Sequence, residues 1–267
     1  IKEIEVGKQR LKSQFLAAIL AVFLVLSVVL YLLFRSRKRL ANELVMKNSA
    51  IEKEKKRSDE LLLNILPHET ANELKSTGKA EPKNYKSVSI MFTDFKDFTL
   101  ISEKLTPKEL VSEIDSYFSA FDDIVAKFGI EKIKTIGDAY LCAYGINNSE
   151  QKDHSVIINA AKEILTLMDN YKKEREAQGK QAFSIRIGIH TGPIVAGVVG
   201  KHKFAYDIWG DAVNTAARME QSSEAGKINI SADTYELIKN DFNCEYRGKV
   251  LAKNKGKIDM DFVENEV

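Results

Sequence analysis

A chain of 267 residues, 44% hydrophobic, has room for one sizeable core plus appendages, and 40 basic against 38 acidic residues (net +2) give no basis for nucleic acid as a partner. Two isolated cysteines, Cys142 and Cys244, exclude a disulfide framework or a cysteine zinc site. The four histidines, His68, His154, His190 and His202, show no ligand spacing and read as surface or packing residues.

The chain begins at Ile1, without an initiator Met and within charged helical sequence, so residues 1–14 read as the end of a truncated upstream region, expected to be extracytoplasmic. Residues 15–34, FLAAILAVFLVLSVVLYLLF, carry no charge and as a helix span about 30 Å, the thickness of a bilayer core. A core helix of that length would show a polar face, and this one offers only Ser27 and Tyr31. Arg35, Arg37, Lys38 and Arg39 follow in place of a small-residue cleavage site, so the segment reads as one transmembrane helix and not as a secretory signal. Lys2, Lys8, Arg10 and Lys12 precede it, leaving only a modest positive-inside bias toward the C-terminal side.

Residues 35–66 are charged, with no Gly or Pro, and read as a helical linker. Leu40, Leu44, Lys47, Ile51, Glu54, Ser58, Leu61 and Ile65 alternate spacings of four and three: a polar-centred heptad seam, hence a weak coiled coil or a solvated single helix. Residues 67–84 lead into the globular part, with 75–84, rich in Lys, Ser, Thr, Gly and Pro, as a loop.

From residue 85 to 267 strands and amphipathic helices alternate. Residues 88–93 form a buried strand; Thr106 and Pro107 open a helix as cap and first helical residue. Residues 130–136 and 139–144 form a hairpin about Gly137 and Asp138; 155–171 are helical; 183–190 and 194–199 are strands split by Thr191-Gly192-Pro193; 211–221 are helical. This order specifies an α+β domain with a central, largely antiparallel sheet.

Two carboxylates end β segments here: Asp94, opening the loop DFKDFT, and Asp138, in KTIGD. At adjacent strand ends they would bridge two Mg²⁺ ions, with Mn²⁺ possible, while phosphate oxygens complete the shells; a lone Asp at a turn would be ordinary turn chemistry. The stretch 204–219, FAYDIWGDAVNTAARM, adds Asp207 and, four apart on one helix face, Asn214 and Arg218. Phe98 and Thr99 begin a helix whose free amides suit phosphate.

With these motifs, residues 85–263 resemble the catalytic domain of class III nucleotide cyclases, the adenylyl rather than the guanylyl kind. The resemblance implies a ferredoxin-like α+β core and makes the LLLNILP run before the domain a coupling segment. It makes Asp94 and Asp138 the metal ligands, with the Phe95 carbonyl beside them. Lys134 and Asp207 become the purine-selecting pair: a donor and an acceptor that match adenine, where guanine would ask for an acidic residue at 134. Asn214 would orient the ribose, Arg218 would neutralise charge on the α-phosphate, and Lys253, or Lys255 in its place, would grip the outgoing phosphates. In that family each site draws its metal and its purine residues from opposite subunits, so a head-to-tail homodimer on ATP is implied, single-pass in the membrane with the domain cytoplasmic. Two departures stand out: Asp97 where the family carries Gly, expected to point to solvent, and Asn254 in AKNKG where the pattern is KGKG. A guanylyl cyclase and a catalytically silent dimerising module remain the alternatives. Trp209 and Tyr206 read as packing behind the site.

Overall fold

A computed structural model describes residues 2–146, 153–179, 181–200, 203–253 and 255–264, so that His202 and Asn254 fall outside the described residues. The chain divides into two units, Ile1–Asn64 and Ile65–Val267. The first is a single helix, α1 (Lys2–Leu63). Its apolar stretch, including Phe15, Phe23, Leu30 and Phe34, is exposed, and an 18-residue window reaches a mean hydropathy of 3.0, so it is long and apolar enough to cross a membrane. Leu40, Leu44, Ile51 and Leu61 are also exposed along it.

The second unit opens with α2 (His68–Thr77), ended by Gly78 in the left-handed conformation. It corrects the expected loop, since residues 75–77 belong to its last turn. There follow β1 (Lys83–Lys96), α3 (Phe98–Ser102), α4 (Pro107–Lys127), β2 (Glu131–Ile136), β3 (Ala139–Tyr144), α5 (Ser155–Ala177), β4 (Ser184–Val199), β5 (Ala205–Trp209), α6 (Asp211–Gln221), β6 (Ile228–Ser231), α7 (Ala232–Ile238), β7 (Cys244–Ala252) and β8 (Gly256–Val263). The sheet runs β2-β3-β1-β4-β6-β8-β7, with β5 on the far half of β4. Only β4–β6 is parallel among the described pairs, as an α+β class with a largely antiparallel sheet requires.

Local chemistry accounts for the framework. Thr106 and Glu109 cap α4 reciprocally, with Pro107 in its first turn. On β4, Ile185, Ile187 and Ile189 enter the core with Tyr117, Phe118 and Phe121 of α4 and Ile157, Ile158 and Ile164 of α5. The intervening residues face the other way, toward α6. Burying each of these large side chains contributes about 1.5–3 kcal/mol.

The expected break at Thr191-Gly192-Pro193 does not occur: β4 is one strand of 16 residues. Pro193 lacks an N–H, and opposite it β1 carries a register shift between Tyr85 and Val88, so the irregularity lies where the ladder would have needed that bond. His154 and His190 are buried in hydroxyl networks: His154 bonds Ser89 (2.7 Å) and His190 Nδ1 bonds Ser231 (2.7 Å).

Candidate functional site

Asp94 lies near the C-terminal end of β1, opposite Ala139 of β3 on one side and Arg186 of β4 on the other. Asp138 precedes Ala139 in a two-residue turn whose first position, Gly137, has φ +64°, a conformation that favours glycine. The hairpin thereby sets Asp138 beside Asp94. Burial, and then the charge of Asp94, raise the Asp138 carboxyl above its ordinary range. Phe95 sends its ring into the core, against Phe98 (6.3 Å between centroids) and Phe183 (5.1 Å), which anchors the loop that follows.

Two residues absent from the sequence reading complete this end. Arg186 Nη2 donates to Asp94 Oδ2 (2.5 Å) and lies 3.0 Å from Glu220 Oε1. Glu220 arrives there because α6 is pressed directly on β4: a Cβ on Gly188 would sit 1.8 Å from the Glu220 backbone nitrogen. Only glycine permits that approach. The Glu220 carboxyl is pushed up to about 7, mainly by burial, with Arg186 opposing and Asp94 and Asp138 adding to the rise. Three acidic groups thus crowd one arginine, and Arg186 Nε and Glu220 Oε1 are buried without hydrogen-bond partners among the described residues. A divalent cation with phosphate oxygens fits this surplus of negative charge and these orphaned atoms. Among the described residues no three His, Cys, Asp or Glu converge to hold an ion unaided, so substrate oxygens would have to share the coordination.

At the opposite wall, Lys134 of β2 donates to Asp207 Oδ2 of β5 (2.5 Å), while Asp207 Oδ1 accepts from the Ile208 amide (2.9 Å). The Lys134 side chain is 42% exposed, so the pair is worth about 1 kcal/mol or less and yields readily to a ligand. Asp94, Arg186, Lys134, Asp207, Asn214 and Glu220 line one cavity of about 510 Å³, whose apolar surface includes Phe92, Leu141 and Ile208.

Arg218, four residues from Asn214 on α6, is not among the lining residues and donates to Gln221 Oε1, which is. Lys253 is exposed at the end of β7, and Lys255 bonds Asp211 at the start of α6, so neither lysine lines the cavity. Trp209 is 40% exposed at the end of β5, which corrects its expected packing role; Tyr206 is buried.

Asp97 is exposed and takes φ +56°, the left-handed region, which glycine enters freely and Asp at modest cost. Asp97→Gly should change stability little, because relief of strain offsets the added chain entropy. It should lower KM for a triphosphate about threefold by removing a partly screened negative charge. Steady-state kinetics check this, and a raised KM would mean that Asp97 contributes to binding.

The arrangement offers an acidic end for cations and phosphates, an apolar slot, and a donor–acceptor pair at its far wall. Residues 80–265 match the family model described as the adenylate and guanylate cyclase catalytic domain. The receptor-type guanylate cyclase gcy-13 of Caenorhabditis elegans is 38% identical over 221 residues, which is 81% of this chain and 21% of that protein. An adenylate cyclase of Mycobacterium bovis is 37% identical over 209 residues, 78% of this chain and 46% of that protein. The chain therefore spans less than half the length of these curated relatives. The solved guanylate cyclase domain of RhGC from Catenaria anguillulae, in complex with GTP, superposes with a TM-score of 0.64 at 34% identity, covering 69% of this chain and 100% of that one.

Proposed function

We propose, from the premise that this chain belongs to the adenylate and guanylate cyclase catalytic-domain family, that it converts ATP to 3′,5′-cyclic AMP and pyrophosphate. The observation that carries the choice of ATP is the Lys134–Asp207 pair at the wall of the cavity. Lys134 would donate to a purine ring nitrogen and Asp207 accept from the 6-amino group; guanine offers an oxygen and ring N–H instead and leaves both residues mismatched.

Asp94, Asp138 and the Phe95 carbonyl would hold two Mg²⁺ ions, or Mn²⁺. When bound, these neutralise the triphosphate and lower the pKa of the ribose 3′-hydroxyl. Arg186 stands beside Asp94 and would meet the phosphates, with the Phe98 and Thr99 amides behind. Asn214 would fold the ribose over the α-phosphate, so that the 3′-oxygen attacks phosphorus in line as the bond to pyrophosphate breaks. The released proton goes to water or to substrate. Arg218 would neutralise the growing charge and Lys253 the departing pyrophosphate.

Arg218 and Lys253 do not line their own chain's cavity, and Ile136, Val199, Phe204 and Trp209 are exposed apolar residues on β2, on β4 and β5, and in the connection between those two. Both observations support a head-to-tail homodimer in which Arg218 and Lys253 serve the partner's site, while Lys134, Asp207 and Asn214 line the same chain's cavity as Asp94. Residues 15–34 would cross the membrane once, residues 35–66 would link the protomers as a weak coiled coil, residues 67–84 would couple them to the catalytic domain, and that domain would face the cytoplasm, where ATP is. The purified chain given equal ATP and GTP with Mg²⁺ should make mainly cyclic AMP. Mainly cyclic GMP would overturn the purine assignment, and no cyclic nucleotide from a dimeric preparation would point to a silent module.

A further inference from the structure

We propose that Glu220 is a positioning residue: it takes the Arg186 guanidinium when Asp94 gives its oxygens to metal, and so keeps that arginine from closing the metal site. The inference rests on the metal role proposed above for Asp94.

Arg186 faces Asp94 directly across β1 and β4, and its Nη2 donates to Asp94 Oδ2 at 2.5 Å. That is an oxygen a cation would need. The same nitrogen lies 3.0 Å from Glu220 Oε1, close enough for an ion pair, yet this oxygen and Arg186 Nε both lack a hydrogen-bond partner. One guanidinium is therefore shared unequally between two carboxylates that also touch each other: it donates to Asp94 and pairs only in charge with Glu220 Oε1. Moving it toward Glu220 would free Asp94 and improve the bonding of the Glu220 carboxylate in one step.

Glu220 is suited to the holding role because it cannot withdraw. Its side chain is 8% exposed, and its backbone is held against Gly188, where no Cβ fits. Without the Glu220 charge, Arg186 would have Asp94 as its sole carboxylate among the ion pairs described. The arginine would then compete with the cation for the same oxygen.

The test is Mn²⁺ binding to the full chain in detergent at pH 8 with a saturating 3′-deoxy ATP analogue, measured against the same nucleotide without protein and read from the electron paramagnetic resonance of free Mn²⁺, because substrate oxygens share the coordination. Glu220→Gln keeps the size of the side chain and should weaken Mn²⁺ binding about tenfold, the scale of one charge-assisted hydrogen bond. In an Arg186→Met background the same change should matter less than about threefold, because no guanidinium remains to be misplaced. Equal losses in both backgrounds would show Glu220 to be only a nearby negative charge and would overturn the proposal, as would no loss where Arg186 is present. Asp94→Asn separates the two levels. If it leaves Mn²⁺ binding intact, the metal role of Asp94 fails and the inference with it. If it abolishes binding while Glu220→Gln shows no dependence on Arg186, the metal role stands and the inference alone fails.

Discussion

Replacing Lys134 by Glu and Asp207 by Ser together should lower kcat/KM for ATP by at least about a hundredfold and admit GTP as a substrate. The two residues meet at one wall of the cavity, Lys134 Nζ donating to Asp207 Oδ2 at 2.5 Å, so each is poised to exchange its partner for one edge of a purine. The double change inverts the pattern, placing an acceptor where guanine presents N–H groups and a hydroxyl where it presents an oxygen. Changing Lys134 alone would set two carboxylates against each other, so that lost binding could not be told from altered choice. The measurement is kcat/KM for both nucleotides on both proteins. An unchanged preference for ATP would remove the pair from substrate selection.

Asp94→Ala should reduce cyclase activity at least about a thousandfold, and Arg218→Ala about a hundredfold or more. Asp94 is the hinge of the acidic end: it stands opposite Ala139 and Arg186, and its loss would leave Asp138 without a neighbour to bridge an ion. Both variants should keep the fold. Arg186 retains Glu220 when Asp94 is removed, and Arg218 is only partly buried, bonded to Gln221. Activity assays with thermal unfolding as control check this. Residual activity above a tenth of wild type in Asp94→Ala would place the metal site elsewhere.

What the sequence discloses here is what local chemistry decides. The helix at 211–221 has its observed bounds, Asp211–Gln221, and the hairpin turns at Gly137 and Asp138 because that dipeptide suits a two-residue turn. Asp94, Asp138 and the Lys134–Asp207 pair could be named because each sits in a short motif; the structure gathers Asp94 and the Lys134–Asp207 pair in one cavity and sets Asp138 beside Asp94. Features that depend on distant partners stayed hidden. Pro193 looks like a strand breaker until the irregularity in β1 at Tyr85 and Val88 is seen opposite it. The helix α2 is short and charged, and its last turn, Lys75 to Thr77, has the composition of a loop. Arg186 and Glu220 lie in different elements and meet only because Gly188 lets α6 rest on β4. A glycine two residues after an arginine in an apolar strand was the one available signal, and it does not name the partner.

The most direct test of a shared-site ATP cyclase is to co-express Asp94→Ala and Arg218→Ala chains in equal amounts and assay the mixture with Mg²⁺ and equal ATP and GTP. In a head-to-tail dimer half the molecules are mixed, and each mixed dimer holds one intact site of two. Cyclic AMP should therefore appear at about a quarter of the wild-type rate, although each variant alone is nearly inactive. No recovery above the two variants measured separately would mean that Asp94 and Arg218 serve the same site from one chain, and recovery of cyclic GMP would contradict the choice of ATP.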